Sequence, residues 1–578
     1  MKSKLYNIVL SVFMICLGAS SASAQLMTFA QAVTPQPYLI KSEIVPVPNA
    51  VLNQIHVMFE HPAVSEAVFY ELRIYEANGK DSALKVLLRD SNNVTPVTQL
   101  EFGKSYKWCY AAFRKAGKSI FQSRMYTFSV AAFPADLRVR VTHNDSAAHN
   151  GGLITFDYHC MITDRSGNPV WFLPTATGNE FSRNDKVRDL RVTHASTCTF
   201  ITQRNAFEIT YEGRILWRGP RAIKGSDADV ETLHHGIERL PNGNMLTAGN
   251  HTMRIPVPGD TATAKSEFGV LAEYDRMGRL VWKWDSYKYI SPLDYRFVKT
   301  GETEWIVATH LNAFRVAEND SVIYAGLRDL DRIVKINRKN GRVLASWGKK
   351  LKSGEAHSGD NFFHAQHDVT LLRDGNIAVF NNDSVSNQGV VSSIVIFSPS
   401  APGEESKLIW KFNCDFDGAN DGRSEKCGSV DEQPNGNLLV NFGTINRCIE
   451  ISRDKVIVWN AFTESYNSQT KLWMPSGQYR SHWSSSMYPC YFGADIINRN
   501  RNGFDVRVWN EGSEADSYTV QYKTSSGAWV EAGVYPNVSA KAKVLCHINS
   551  DKKSPVSEVR IISGKNNEFV RTLKVPAR

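Results

Sequence analysis

Short runs in which apolar and polar residues alternate fill most of this chain. Residues 504–510 (FDVRVWN) and 517–524 (SYTVQYKT) show the pattern, and turn residues separate such runs. A two-residue period places one face of each run in a core and predicts β-strands. No stretch has the period of a long amphipathic helix. The pattern therefore predicts an all-β protein.

Six of the predicted strands follow a polar turn and end in tryptophan. These phrases recur at intervals of roughly 45 to 65 residues, close to the length of known propeller blades. The turn suits a hairpin, and one blade cannot bury its own faces. We therefore predict a six-bladed β-propeller over residues 137–490, with each tryptophan packed between neighbouring blades. The six tryptophans are Trp171, Trp217, Trp282, Trp347, Trp410 and Trp459.

Further strand-like runs lie on either side of the repeats. Residues 37–132 have the strand density of an immunoglobulin-like or fibronectin-like β-sandwich. Residues 500–578 predict a second small sandwich. The predicted architecture is thus a six-bladed propeller with N-terminal and C-terminal β-sandwich domains.

The first 24 residues have the composition of a secretory signal peptide. Lys2 and Lys4 precede an apolar stretch from Tyr6 to Leu17, and small residues end at Ala24. The apolar stretch is too short to span a membrane. We therefore expect a periplasmic or secreted protein with no membrane span.

Eight cysteines follow the signal peptide, in a compartment where disulfides can persist. Their spacing does not select a connectivity. Cys414 and Cys427 bracket a polar loop and are the best candidates for one bridge. The remaining cysteines are either bridged or buried as thiols. No C-x-x-C pair indicates zinc or redox chemistry.

The formal charge of +9 is modest, and no block of Lys and Arg carries it. Nucleic-acid binding needs a concentrated basic surface. The charge pattern therefore excludes nucleic acid as the expected partner.

Aligning the predicted blades on their Asn-Gly or Asp-Gly turns reveals histidines at matched positions. His235 and His367 each precede the last residue of such a turn by nine residues, and His310 occupies a similar place. The innermost strands of a propeller line its channel, so we expect these three imidazoles to converge there. Three imidazoles suit zinc, but their separation across a channel makes a metal-free site the preferred interpretation. Asp368 could orient His367.

A set of ordered motifs resembles the bacterial arylsulfate sulfotransferases, the arylsulfotransferase (ASST) family. The resemblance covers roughly residues 140–490, and it depends on the order and spacing of the motifs together. The motifs are HHGIERLPNGN (234–244), HLN (310–312), GLRDLDRIVKI (326–336), WG (347–348), QHD (366–368), DGN (374–376), FNN (380–382), GSV (428–430), PNGN (434–437) and YR (479–480).

The resemblance implies a periplasmic propeller that moves a sulfuryl group from an aryl sulfate donor to a phenolic acceptor. In that family a histidine carries the group covalently, and no nucleotide or metal cofactor is needed. It also implies small aryl sulfates and phenols as partners, and it allows a homodimer through the N-terminal β-domain.

Residue by residue, the resemblance assigns two groups of candidates. Arg328 is the first candidate for an anion clamp, with a surface ion pair to Asp329 or Asp331 as its alternative role. The catalytic candidates are His367, His310, His235 and Arg328, and the substrate-binding candidates are Arg480, Arg447 and His234.

Two departures from the family pattern keep other functions open. The segment 380–385 (FNNDSV) lacks the arginine that the family usually places there, and Gly428 stands where a fourth histidine could be. One alternative is a catalytically silent propeller that binds a sulfated or phenolic ligand or a cell-surface glycan. A quinone-dependent dehydrogenase, suggested by NGRVLASW (340–347), is less favoured because such propellers usually have eight blades.

Overall fold

Almost all of the regular structure is β-strand, which confirms the predicted all-β class. Strand Gly503–Asn510 illustrates the cause, since its apolar residues Phe504, Val506 and Val508 are buried while the polar residues between them are partly exposed. Within the described residues, helix is confined to an α-helix at Ser286–Tyr289 and 3₁₀ helices at Pro292–Asp294 and Arg328–Leu330. The computed structural model describes residues 44–78, 81–115, 117–176, 178–203, 205–220, 232–301, 304–317, 319–350, 352–353, 361–383, 391–401, 404–416, 422–550 and 555–575.

Six antiparallel sheets, here called sheets 1 to 6, occupy the region of the tryptophan phrases. Each contains four strands in a simple meander, and sheet 1 is completed by a strand from the far end of the region. Sheet 1 contains Leu153–Phe156, Met161–Thr163, Pro169–Phe172 and Ser481–Ser484; sheet 2 Arg188–Val192, Cys198–Ile201, Ala206–Ile209 and Ile215–Arg218; sheet 3 Thr232–Arg239, Met245–Pro256, Thr263–Tyr274 and Leu280–Asp285; sheet 4 Leu311–Ala317, Val322–Leu327, Arg332–Asn337 and Val343–Gly348; sheet 5 His367–Leu371, Ile377–Asn381, Ser393–Ser398 and Lys407–Asn413; and sheet 6 Ser429–Glu432, Leu438–Asn441, Arg447–Ile451 and Ile457–Asn467.

Additional strands extend two of these sheets. The hairpin Phe297–Thr300 and Glu304–Ala308 joins sheet 3, where its second strand runs parallel to Thr263–Tyr274. Leu137–Asn144 and Leu472–Pro475 both pair with the last strand of sheet 6.

The first strands of sheets 2 to 6 contact one another in chain order. Ser481–Ser484 of sheet 1 contacts the first strands of both sheet 2 and sheet 6. The inner strands therefore form a closed ring in which the end of the region pairs with its beginning.

Tryptophan side chains link each sheet to the next around the same ring. Each indole Nε1 donates a hydrogen bond to a backbone oxygen in or beside the last turn of the following sheet, and the sixth bond returns from sheet 6 to Arg165 of sheet 1. The bonds are Trp171 to Tyr211 (2.8 Å), Trp217 to Asp275 (3.1 Å), Trp284 to Gly341 (3.0 Å), Trp347 to Ser400 (3.1 Å), Trp410 to Arg453 (2.8 Å) and Trp459 to Arg165 (2.6 Å).

In sheet 3 the linking hydrogen bond comes from Trp284, whereas Trp282 packs, partly buried, against the core of sheets 3 and 4. The two residues lie on the same face of the strand Leu280–Asp285 because they are two positions apart. Trp284 is fully buried, whereas Trp282 is partly exposed. The alternation of the strand does not show which of the two tryptophans makes the hydrogen bond. The position of the last turn of sheet 4, which contains Gly341, decides it.

Replacing the two tryptophans separately should show this difference. We expect Trp284→Ala to lower the free energy of unfolding by about 3–5 kcal/mol, since a buried indole and its hydrogen bond are lost. Trp282→Ala should cost clearly less. Urea denaturation of both variants measures the difference, and equal losses would contradict the assignment.

Separate β-regions flank the ring. The N-terminal region has a sheet ordered Ala50–Leu52, Tyr126–Val130, Ser105–Phe113, Phe69–Asn78 and Asp81–Asp90, with Ser119–Gln122 beside Ser105–Phe113, and a second sheet of Val57–Glu60 and Val94–Val97. The C-terminal region has one sheet of Phe492–Ile497, Gly503–Asn510 and Lys543–Asn549, and another of Trp529–Val538, Asp516–Lys523, Glu558–Ser563 and Val570–Lys574. The two regions meet where Arg571 pairs with Glu60.

The expected disulfide between Cys414 and Cys427 is wrong. All eight cysteines of the described residues are buried free thiols. Cys414 packs in the apolar core of sheets 5 and 6, while Cys427 lies beside Tyr158 of sheet 1. Burial raises the pKa of the Cys427 thiol to about 11, and burial also raises the pKa of the Cys414 thiol well above its ordinary value. These thiols therefore behave as small apolar side chains.

The predicted signal peptide, residues 1–24, lies outside the described residues. None of the helices in the described ranges is long and apolar enough to cross a membrane.

Candidate active site

Histidines from sheets 3, 4 and 5 meet around one tyrosine at the centre of the ring. The ring centroids of His235 and His310 are 5.0 Å apart. Tyr479 lies 5.9 Å from His235 and 6.3 Å from His367, measured between ring centroids. His234 packs edge-on against His235 at 4.3 Å. The structure thus brings together all four histidines that the sequence singled out.

The His367 imidazole is oriented by Asn382. Its Nδ1 lies 2.7 Å from the Asn382 side-chain oxygen. The Asn382 amide nitrogen donates to the backbone oxygens of Ser424 (2.8 Å) and Cys427 (3.0 Å), which fixes the amide with its oxygen towards the histidine. Nδ1 must therefore carry the proton, and Nε2 holds the lone pair.

Asp368 does not orient His367, contrary to the sequence-based hypothesis. One of its carboxylate oxygens lies 3.1 Å from the Arg315 guanidinium, and the other accepts the backbone N–H of Val430 at 2.9 Å. Asp368 has positive φ at a bulge in the strand, so its side chain leaves the site. It ties sheet 5 to sheets 4 and 6.

All four imidazoles are neutral at pH 7. Burial is the largest cause, and it lowers the pKa of His367 to about 3 and that of His234 to about 4. The pKa values of His235 and His310 are also lowered, again mainly by burial. Nearby cations act in the same direction, including Arg328 and Arg480 on His367. The site therefore combines uncharged imidazoles with fixed positive charge.

Arg328 lies beside His310 and is held there locally. Its backbone N–H donates to the His310 oxygen at 3.1 Å, and its side chain donates to Asp329 at 2.7 Å. The other Asp329 oxygen is 3.8 Å from His310 Nδ1. The predicted ion pair of Arg328 with Asp329 is thus present, and it coexists with a position next to the histidines.

Arg480 and Tyr479 close the centre of the ring below the histidines. Arg480 is buried, with one nitrogen donating to Asp189 of sheet 2 (2.9 Å) and another to the backbone oxygen of Asn312 of sheet 4 (2.7 Å). The Tyr479 hydroxyl contacts the same Asn312 oxygen at 3.3 Å. Since both residues precede the sheet 1 strand Ser481–Ser484, they reach across the ring to the opposite sheet.

Arg447 lies apart from this floor. It stands at the start of the third strand of sheet 6, stacked 3.6 Å from the ring centroid of Phe416, and it donates to Asn460 at 2.8 Å. Its packing on aromatic rings accounts for its position without a substrate. His234 instead hydrogen-bonds Asn250 and supports His235.

The family model for arylsulfotransferase (ASST) matches residues 118–488, which is more than half of the chain. The chain belongs to the arylsulfotransferase family. Membership supports sulfotransferase-type activity and small aryl substrates in general.

None of the curated proteins matches the chain. Similar solved structures include a Bacteroides caccae protein of unknown function, with 16% identity over 58% of this chain and 96% of that one and a TM-score of 0.34. They also include a functionally unknown Desulfotomaculum acetoxidans protein, with 11% identity over 69% and 99% of the two chains and a TM-score of 0.28. A third is the Kuenenia stuttgartiensis hydrazine synthase, with 8% identity over 69% and 98% and a TM-score of 0.28.

Gly428, one of the two departures from the arylsulfotransferase pattern, is required by packing. Its φ is +112°, and a Cβ there would lie 2.4 Å from a ring carbon of Phe380. A histidine at this position would displace Phe380 from the core of sheets 5 and 6. Gly428 is therefore a site of close approach between two sheets.

A cation that the sequence did not reveal lies near the histidines. Arg188, at the start of sheet 2, has its guanidinium carbon 5.7 Å from the Tyr479 ring centroid. The charge of Arg188 also lowers the pKa of His234, His235 and His310, although burial is the largest cause of each shift and other neighbouring groups contribute more than Arg188. Tyr158 lies on the same side, 6.4 Å from Tyr479 between centroids.

Within the described residues, no group of three or more His, Cys, Asp or Glu side chains is arranged to hold a metal ion.

Proposed function

We propose that this chain transfers a sulfuryl group from an aryl sulfate to a phenol, with His367 as the nucleophile. Nε2 attacks the sulfur atom, the bond from sulfur to the aryl oxygen breaks, and the phenolate leaves. The acceptor oxygen then attacks the same sulfur, the S–N bond breaks, and the acceptor proton is released. Splitting the transfer in this way replaces one difficult displacement by two easier ones.

The hydrogen bond from His367 to Asn382 carries this proposal. It holds the imidazole in the tautomer whose lone pair is on Nε2. The amide that does so is itself fixed by two backbone oxygens from the sheet 6 side. A neutral, oriented and buried imidazole is what a nucleophile for sulfur requires.

Arg328 and Arg188 stabilise the transferring group in this proposal. A sulfuryl group resembles a phosphoryl group, whose loose transition state spreads charge over its equatorial oxygens. Arg328 adjoins His310 and lowers the pKa of His367, while Arg188 faces Tyr479. Fixed cations around developing charge contribute most in a buried site.

The six sheets act, in this proposal, as the blades of a propeller whose channel opens above Tyr479. The closed succession of inner strands and the tryptophan bonds support this arrangement. We further propose export to the periplasm, supported by the composition of residues 1–24, and a homodimer through the N-terminal β-region. Cell fractionation and size-exclusion chromatography with light scattering test these two points.

The direct test measures 4-nitrophenol release from 4-nitrophenyl sulfate with and without phenol. We expect release to depend on the acceptor, with phenyl sulfate appearing in equal amount. The variant His547→Ala, altered in the C-terminal region, provides a control for folded protein. A folded sample that produces no phenyl sulfate would exclude the proposal.

The first half-reaction should remain fast in acid. Burial lowers the pKa of His367 to about 3, so the imidazole stays neutral at pH 5, where an exposed histidine is largely protonated. We expect the pre-steady-state burst of 4-nitrophenol to change by less than about threefold between pH 5 and pH 8. A tenfold loss per pH unit below about 6.5 would indicate a nucleophile with an ordinary pKa.

A further inference from the structure

A pocket of about 150 Å³ opens between the added hairpin of sheet 3 and the 3₁₀ turn of sheet 4, where Arg328 and Asp329 line it. Its apolar wall consists of Val298, Ile306, Val307 and Ala308. A cavity of this volume accommodates one benzene ring. The pocket thus has the size and one wall suited to an aryl group.

The pocket borders the candidate active site through Arg328 and Asp329. Both residues line it, and the Asp329 carboxylate lies 3.8 Å from His310 Nδ1. The hairpin is anchored because Thr309 donates its backbone N–H to Glu267 at 3.1 Å and accepts the N–H of Gly269 at 2.8 Å. A ring in this pocket therefore lies at a fixed place beside Arg328 and Asp329, the residues that adjoin His310.

The other wall of the pocket carries charged side chains, and only some of them form hydrogen bonds or ion pairs with described residues. Asp329 pairs with Arg328 at 2.7 Å, and Asp331 accepts the backbone N–H of Ala365 at 2.7 Å and lies 3.7 Å from His364. Arg296 also lines the pocket, and the described residues provide it with no hydrogen-bond or ion-pair partner. Arg296 is exposed, and within the described residues it is the charged group of the pocket that no protein group pairs.

The backbone at Arg296 is anchored by the neighbouring Tyr295. Tyr295 is buried, its ring centroid lies 5.1 Å from that of Phe268, and its hydroxyl is within hydrogen-bond distance of the backbone oxygens of Tyr287 (3.3 Å) and Ile290 (3.2 Å). A guanidinium presents paired N–H groups that match a carboxylate or sulfonate. It can therefore bind an acidic substituent of a ring that fills the pocket.

We propose that this pocket is the acceptor subsite and that Arg296 selects phenols bearing an acidic substituent, such as hydroxybenzoates. This rests on the proposed sulfuryl transfer for its functional meaning. The ring lies on Val307 and Ala308, its acidic group on Arg296, and its hydroxyl towards the histidines. Arg296 is then a specificity-determining residue of this chain.

The test compares two acceptors of similar shape, 4-hydroxybenzoate and its neutral amide, 4-hydroxybenzamide. We expect kcat/KM to favour the carboxylate by about threefold to tenfold, and Arg296→Gln to abolish that preference with little change for the amide. Arg296→Glu should reverse it. Arg342→Gln, an exposed arginine on the outer turn of sheet 4, should behave as the unaltered protein.

Binding of 4-hydroxybenzoate, measured by calorimetry without a donor, separates this proposal from the proposed activity. Weaker binding to Arg296→Gln alone supports the subsite even if no transfer is found. Transfer to neutral phenols with no acceptor preference, or a preference that survives Arg296→Gln, overturns the subsite and leaves the proposed activity intact. Equal binding by all variants overturns it as well.

Discussion

Replacing His367 by alanine should reduce sulfuryl transfer by at least ~1000-fold, since the variant lacks the atom that receives the group. Its neighbours would remain, so phenol and donor could still bind beside Arg328 and Tyr479. The expected loss is therefore in kcat and in the burst of 4-nitrophenol. Retention of a full burst would remove His367 from the mechanism.

Two substitutions at Asn382 test how His367 is held. Asn382→Ala removes the partner of Nδ1, and we expect a smaller loss, about 10- to 100-fold, as for other orienting partners of histidine. Asn382→Asp keeps the shape but adds a carboxylate that stabilises imidazolium and raises the pKa of His367. Its activity should recover as the pH is raised, a response that loss of folding cannot produce.

A trapping experiment distinguishes a covalent carrier from simple binding. Donor labelled in its sulfuryl group is mixed with protein in the absence of acceptor. It should label the unaltered chain rapidly, label Asn382→Ala slowly, and leave His367→Ala unlabelled. His547→Ala serves as the matched histidine control, because His547 pairs with Asp505 on a C-terminal sheet. Equal labelling of His367→Ala would place the carrier elsewhere.

The turn alignment located the three main histidines because residues at equal distance from equivalent turns have similar depth in neighbouring sheets. It did not extend to sheet 2, whose first turn lies between Val192 and Cys198 and has no Asn-Gly or Asp-Gly pair. Arg188 stands on that sheet and was missed for this reason.

Asn382 was missed for a different reason. It lies in the segment that departs from the family pattern, and its role depends on the oxygens of Ser424 and Cys427, which are more than forty residues away. Local sequence carries no signal for such a contact. The cysteines show the same limit, since the spacing of Cys414 and Cys427 does not reveal that Cys414 packs in an apolar core while Cys427 lies beside Tyr158.

The floor of the site offers a second large effect, on stability. Asp189 is buried. Its Oδ1 accepts hydrogen bonds from Arg191 (2.8 Å), Arg480 (2.9 Å) and His482 (3.1 Å). Its Oδ2 accepts the backbone N–H of Ile237 (2.9 Å). These partners belong to sheets 1, 2 and 3. The carboxylate therefore joins three sheets at the ring centre.

Removing this carboxylate leaves the buried guanidinium of Arg480 and the partly buried one of Arg191 without their common partner. We expect Asp189→Ala to lower the free energy of unfolding by about 3–5 kcal/mol. Glu66→Ala, which breaks an exposed ion pair with Arg114, should change the urea midpoint little. Similar effects for both variants would show that the floor does not depend on the buried charge.

The pH dependence gives a further check on the same carboxylate. Although burial alone would raise it, Arg191, Arg480 and His482 hold the pKa of Asp189 well below its ordinary value. Because the pKa of Asp189 is depressed in the folded state, the stabilisation by its carboxylate is fully present above the pKa of the unfolded state, near 4. That stabilisation is lost as the pH falls through the pKa of the folded state. The stability difference between the unaltered chain and Asp189→Asn should thus be constant near pH 7 and shrink below about pH 4. A difference that grows in acid would mean that Asp189 is protonated in the folded protein, and the floor would then be held by neutral hydrogen bonds.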